Sequence, residues 1–215
     1  ARELYGQHSA LTGNLASLAR VQIDYGEIRP GIENARESLS ILEKEGSPSE
    51  VDHANRERAL GVGLLAARRA SEALPHLRSA AEIGSKTKDE HGLLLSRAGY
   101  GLALVYLGRY QDGEAQLQQV IAQRRAGRPR AMHEPLSYLG TLRRLQAQPE
   151  VALGLFEEAS AAARNSPTNK VDLAQILTGI GITRLETADY DEAARSLSEA
   201  RALLEEVQKE KTPAQ

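Results

Sequence analysis

A chain of 215 residues with no cysteine can build neither a disulfide framework nor a thiolate site, and at 26 percent charged and 41 percent hydrophobic residues it reads as folded rather than disordered. A formal net charge of −2 provides no global field for nucleic acid or anionic lipid, and no stretch approaches the roughly 18 apolar residues that span a bilayer. With aromatics at only 4 percent, the core has to come from Leu, Ala, Ile and Val, which favours closely packed helices.

In chain order, apolar residues at helical spacing alternate with short turns and helix-breaking stretches. The first hairpin is predicted over 8–48, with Leu15, Leu18 and Val21, a turn at Tyr25-Gly26-Glu27, then Leu39, Ile41 and Leu42 before Gly46-Ser47-Pro48-Ser49. The second, over 49–88, has Leu60, Leu64 and Leu65, a turn at Ala67-Arg68-Arg69, then Leu74 and Leu77, and a break at Gly84-Ser85-Lys86-Thr87. The third, over 89–130, turns at Leu107-Gly108-Arg109, continues with Leu117, Val120 and Ile121, and breaks at Gly127-Arg128-Pro129. The fourth, over 131–168, carries Leu136, Leu139 and Leu142, turns at Gln146-Ala147-Gln148, and resumes with Leu153 and Phe156 before Asn165-Ser166-Pro167-Thr168. The fifth, over 169–211, turns at Thr187-Ala188-Asp189 and continues with Leu197, Leu203 and Leu204. Gly26 and Gly108 suit left-handed helix termination, and Asp189 is a candidate cap for the helix after it.

Three series of mostly small residues stay in phase through these hairpins. Ala19, Gly61, Gly101, Gly140 and Gly181 lie in first helices; Gly31, Ala73, Gly113, Ala152 and Ala193 follow twelve residues later, and Ser38, Ala80, Val120, Ala159 and Ala200 seven after that. The middle series is spaced 42, 40, 39 and 41 residues apart, a period that without strand signals marks stacked helical hairpins. The expected fold is an all-α solenoid of five helix-turn-helix repeats, about ten helices, forming one domain over 1–215. Small residues of the two helices are expected to face one another, so that Leu at Gly140 or Ala152 splays a hairpin. The start at Ala1 and the ending Thr212-Pro213-Ala214-Gln215, which could open another helix, suggest a piece of a longer protein.

Leu139-Gly140 followed by Ala152, Phe156 and Ala159 resembles the tetratricopeptide repeat. So do Ile180-Gly181, Tyr190, Ala193, Leu197 and Ala200, and Tyr100-Gly101, Tyr110, Gly113 and Leu117. The resemblance covers about residues 8 to 210, although the family's aromatic before Leu-Gly is replaced by Leu15, Glu57, Arg97, Leu136 and Leu177. The long period is similar to kinesin-light-chain-type arrays and to arrays in bacterial signalling proteins. The resemblance implies a right-handed superhelix with a concave, peptide-sized groove, and ligands lying along first helices near the Leu-Gly pair. Carried over copy by copy, that groove comprises Arg20, Asn55, Arg58, Val62, Leu95, Leu102, Tyr106, Glu134, Tyr138, Thr141, Gln175, Thr178, Ile182 and Glu186. The Asn and Lys series of family members that clamp a C-terminal carboxylate is missing, with Ser17, Ala59, Gly99, Tyr138 and Gly179 in its place. Small Ala59, Gly99 and Gly179 are expected to leave room for bulky apolar side chains of a partner segment.

Catalytic signatures are absent from the sequence. Gly61-Val62-Gly63, Gly99-Tyr100-Gly101 and Gly179-Ile180-Gly181 lack both the third glycine and the preceding strand of a dinucleotide loop, so helix packing is the better account and no cofactor is expected. His8, His53, His91 and His133 recur near the starts of first helices and His76 stands apart; no pair has metal-ligand spacing, so no metal is expected. No Gly-x-Ser-x-Gly elbow is present, and the chain reads as a non-enzyme. Arg124, Arg125, Arg128 and Arg130, with Arg143 and Arg144 in the next helix, form a candidate anion patch, for which a solvated hairpin corner is the favoured reading. The expected function is a protein-interaction scaffold for a peptide or helix, in the cytoplasm with the periplasm left open, and with nucleic acid and membrane disfavoured as partners. Self-association and peptide sensing are the alternatives.

Overall fold

The computed structural model describes residues 14–45, 49–127, 132–165 and 170–211, with the side chains of Glu45 and Lys211 left aside. Every regular element among them is an α-helix: α1 (14–24), α2 (Ile28–Glu45), α3 (Glu50–Ala66), α4 (Ala70–Thr87), α5 (Glu90–Tyr106), α6 (Tyr110–Ala126), α7 (His133–Leu145), α8 (Pro149–Arg164), α9 (Lys170–Glu186) and α10 (Tyr190–Lys211). The chain was expected to form one domain, and its contacts fall into two compact units, Ala1–Arg109 and Tyr110–Gln215, divided between the helices of the third expected hairpin. In the first unit α2 packs on α3, α3 on α4, and α4 on α5. In the second, α6 packs on α7, α7 on α8, α8 on α9, and α9 on α10. His8, Gly46-Ser47-Pro48, Arg128, Pro129, Arg130, Ser166-Pro167-Thr168 and the 212–215 tail lie outside the described residues.

All five predicted turns are found, and they share one geometry. Their middle residues, Gly26, Arg68, Gly108, Ala147 and Ala188, have φ between 55° and 80°. The amide after each reaches back five residues, as Arg69 to Leu64 at 2.8 Å and Gln148 to Arg143 at 2.9 Å, and its own amide reaches back three, as Arg68 to Leu65. This doubled bond satisfies the last carbonyls of each first helix and fixes where the second begins. Glycine occupies the left-handed position in two turns; Arg68, Ala147 and Ala188 hold it despite the steric cost to an L residue, about 1–2 kcal/mol. The bonds and the packing beyond them hold these residues there. Ser49 caps α3 by accepting from the Asp52 amide, and Asp89 caps α5 through Gly92. Asp189, the proposed cap, uses its carboxylate to accept from Arg184 at 3.1 Å.

The expected break at Gly84-Ser85-Lys86-Thr87 is not one: α4 runs through it to Thr87 and is capped by Lys88, itself left-handed at φ 60°. Gly84 serves packing instead, since a β-carbon there would come within 3.1 Å of the Leu93 backbone at the start of α5.

All fifteen residues of the three phased series are buried. The expected approach of small residues is found in two hairpins, where a β-carbon at Gly31 would come within 3.0 Å of the Ala19 carbonyl oxygen and one at Gly181 within 3.4 Å of the Ala193 carbonyl oxygen, but large side chains share these contacts. A β-carbon at Gly181 would meet Leu197 Cγ at 2.6 Å, one at Gly61 the Leu77 side chain, and one at Gly140 the Phe156 ring at 3.0 Å. The first-helix glycine thus receives the large residue sixteen positions on. Gly99 and Gly179 close the same side chains from the next repeat, at 3.0 Å from Leu77 and 2.9 Å from Phe156. The room expected at Gly99 and Gly179 for a partner is filled by the protein's own core. Among the expected apolar helix positions, Leu18, Val21 and Leu204 are exposed, and α1 and α10 bury Ala19, Ile23 and Val207 instead.

Candidate functional site

Because large second-helix side chains such as Leu77 and Phe156 are directed inward onto first-helix glycines, the remaining first-helix side chains form the available surface. In the first unit Arg20 on α1 is exposed and pairs with Asp24 at 3.5 Å. On α3 Arg58 Nη2 donates to Asn55 Oδ1 at 2.8 Å, and Val62 is exposed one turn further on. On α5 Leu95 is half-buried and Leu102 is 7% exposed. Leu102 is therefore a core residue, not a groove residue, because α5 is buried at every position from Gly101 to Val105. The Tyr106 hydroxyl accepts from Arg68 Nη1 at 2.7 Å, and the guanidinium lies 5.0 Å from the ring centroid. This contact bridges consecutive repeats.

In the second unit Glu134, Tyr138 and Thr141 are half-buried on α7, while α9 presents exposed Gln175 and Ile182 beside half-buried Thr178. The hydroxyls of Thr141 and Thr178 donate to carbonyls one turn back, Ser137 at 3.0 Å and Ala174 at 2.7 Å. Glu186 accepts from Arg144 at 2.7 Å. Tyr106 and Glu186 hold the same place in their repeats, and each is engaged by an arginine near the end of the preceding first helix.

The four described arginines of the candidate anion patch do not converge. Arg125 pairs with Glu158 at 3.2 Å, Arg143 Nη1 donates to Glu114 at 2.9 Å, and Arg144 takes Glu186. Arg124, expected at a solvated corner, is buried, with Nη2 at 3.7 Å from Glu134 Oε2. Burial pushes its guanidinium below the usual arginine range, against the upward pull of the Glu134 charge. The hydrogen bond from Arg143 lowers Glu114 and raises Arg143 in return.

Two polar clusters had not been singled out from sequence. Glu57 is buried on α3, with His76 Nδ1 of α4 at 2.5 Å and His53 Nε2 at 3.6 Å. The buried His133 sits 3.1 Å from Asp172 on the next first helix. For His133 and Asp172, as for Arg68 and Tyr106 or Arg144 and Glu186, the available signal was complementary polar groups about one period apart, whereas Glu57 and His76 lie nineteen residues apart within one hairpin and carried no such signal. No group of three His, Asp or Glu side chains suited to a metal occurs among the described residues.

Stacked helical hairpins with a shared register and inter-repeat glycine sockets define a helical repeat protein. Residues 132–206 match the family model of the tetratricopeptide repeat. Solved structures extend the likeness along the chain. The tetratricopeptide-like repeats of a kinesin light chain from Podosopora anserina are 19% identical, with TM-score 0.56, over 94% of this chain and 96% of that one. BtubC from P. vanneervenii is 17% identical, with TM-score 0.64, over 94% and 84%. The Rap conjugation gene regulator of plasmid pLS20, solved with its Phr peptide, is 16% identical, with TM-score 0.72, over 88% of this chain and 52% of the regulator. No curated protein matches the sequence. Residues 132–206 thus carry the tetratricopeptide match by sequence, and the fold of solved tetratricopeptide-like repeat structures is shared over nearly the whole chain. No helix among the described residues is long and apolar enough to cross a membrane.

Proposed function

We propose that this array is a non-catalytic scaffold that holds a peptide or helical segment of a partner protein against its first helices. The observation that carries the reading is the set of first-helix side chains left over by internal packing: Val62 with the Asn55–Arg58 pair in one unit, Ile182 with Gln175 in the other. Exposed aliphatic side chains beside hydrogen-bonding groups suit a segment with apolar anchors and polar flanks. The Rap regulator, solved in complex with the Phr* peptide, is a fold relative with a bound peptide and supports a sensor or docking role in a signalling protein.

The test is selection of binders from a randomised peptide library on the intact chain, followed by titration of the enriched peptides against Val62→Glu and Ile182→Glu. Both positions are exposed, so the fold is kept. At least one variant is expected to weaken binding fivefold or more, about 1 kcal/mol. Enriched peptides that bind both variants as tightly as the parent, or no enrichment at all, sink the proposal.

A further inference from the structure

At two junctions between repeats, an arginine near the end of one first helix reaches the same register position on the following first helix. In the second unit that position is Glu186, whose carboxylate cancels the charge of Arg144 at 2.7 Å. In the first unit it is Tyr106, which offers Arg68 a neutral hydroxyl at 2.7 Å and a ring whose centroid lies 5.0 Å from the guanidinium. Among the described residues no carboxylate forms an ion pair with Arg68, whereas Arg69 beside it is taken by Glu72 at 2.6 Å and Arg20 by Asp24 at 3.5 Å.

Arg68 is exposed, and it holds the left-handed position that Gly26 and Gly108 hold in other corners. A strained backbone position is thus given to a long cation whose charge the protein does not cancel, a combination that points to function. Tyr106 takes one N–H donor, and the planar fork has others in a geometry that matches a carboxylate. Leading up to this corner on α3 are Val62, 38% exposed, and Ala66 one turn later, also exposed and on the same face. Val62 stands six residues before Arg68, about 9 Å along a helix axis, which about three residues of extended peptide span.

We propose that the first unit takes an acidic segment, in which a partner peptide sets an Asp or Glu carboxylate on Arg68 and an aliphatic side chain on Val62. The inference rests on the peptide-binding function proposed above and names the chemistry of its ligand in this unit. Tyr106 positions the guanidinium and leaves its charge to the ligand, while Glu186 shows the internally satisfied alternative. A peptide carboxylate suits this corner better than the phosphates of a nucleic acid, because Arg20 and Arg69 are already paired and the side chains leading up to Arg68 are aliphatic.

The test repeats the library selection on the intact chain and titrates the enriched peptides against Arg68→Gly and Tyr106→Glu. Arg68→Gly places at the left-handed position the residue that two other corners use, so the corner folds; Tyr106→Glu keeps Arg68 and supplies the internal carboxylate of the second unit. Peptides whose binding Val62→Glu weakens are expected to carry Asp or Glu about three residues from an aliphatic residue. Changing that acid to its amide should weaken binding to the parent about fivefold, and to either variant less than about twofold. Arg68→Lys should keep part of the preference, and the loss should shrink in about 0.5 M salt. Enriched peptides of which none depends on Val62, Val62-dependent peptides without an acid, or acidic peptides that bind both variants as tightly as the parent overturn this inference and leave the scaffold reading in place. An RNA oligonucleotide that displaces the acidic peptides from the parent and binds Arg68→Gly more weakly assigns the corner to phosphate and overturns it as well. Failure to enrich any peptide removes the scaffold reading itself, and this inference with it.

Discussion

Phe156→Ala is expected to lower the unfolding free energy by about 3–5 kcal/mol, the range for emptying a buried aromatic site. The ring is 2% exposed and lies between Gly140 of its own hairpin and Gly179 of the next. Neither flanking residue has a side chain that could move into the vacated volume, so the cavity persists and its cost falls toward the upper part of the range. The loss should appear in the urea midpoint and in faster amide exchange along α7 and α9, the two helices that rest on the ring. Gly140→Leu perturbs the same contact by overfilling and is expected to cost about 1–3 kcal/mol. Combined with Phe156→Ala, Gly140→Leu should cost much less than the sum, since the large side chain enters the space the ring leaves. Additive losses would show that the glycine and the ring do not share one socket.

Glu134→Ala should destabilise the second unit by about 2–3 kcal/mol, somewhat less than the loss of one partner from a fully buried ion pair because Glu134 keeps some solvent contact. Arg124 is buried, and its carboxylate partner stands at 3.7 Å, too far for a hydrogen bond. Arg124 Nη1 has no hydrogen-bond partner. Attraction at that distance compensates desolvation incompletely, while removing Glu134 leaves the cation in the interior with even less. Arg124→Leu places the residue type of Leu42 at the equivalent position and removes the buried charge, so it should be neutral or stabilising by about 1 kcal/mol. The opposite response to removing either member of the pair is the diagnostic result, read from urea unfolding of both variants. Equal destabilisation would mean that Arg124 contributes favourable bonds beyond the pair.

The corners of this fold were legible because they depend on short-range backbone chemistry, with Gly26 and Gly108 at left-handed positions and fixed spacing from the apolar runs. The helices were legible for the same local reason. Gly84 misled because glycine both weakens a helix and permits close approach, and only the position of Leu93 decides between these roles. The phased small residues were placed in the interior and two of their pairs meet, Ala19 with Gly31 and Gly181 with Ala193, but the large side chains seated on the glycines were not foreseen, since a repeat period gives equivalence without saying which side chains meet. Leu102 could not be told from Val62 or Ile182 by register, because its burial follows from the apolar surroundings of α5. Arg124 was misplaced at a solvated corner since its neighbours in sequence are polar, whereas its surroundings in space come from α7. The rest of the candidate surface followed from the resemblance, and the cross-repeat pairs that partly occupy it are visible only once the hairpins are stacked.

The common construction of the five corners also bears on how such a chain can be rearranged. Cutting and rejoining at Arg68, Gly108, Ala147 or Ala188 exchanges whole blocks of about forty residues while keeping the buried side chains in phase, as expected for a nearest-neighbour architecture. Joints between non-equivalent positions, which add or drop one residue, would rotate the following rod by about 100° and turn its apolar stripe outward. Shuffling of this chain is therefore confined to joints between equivalent positions of its repeats.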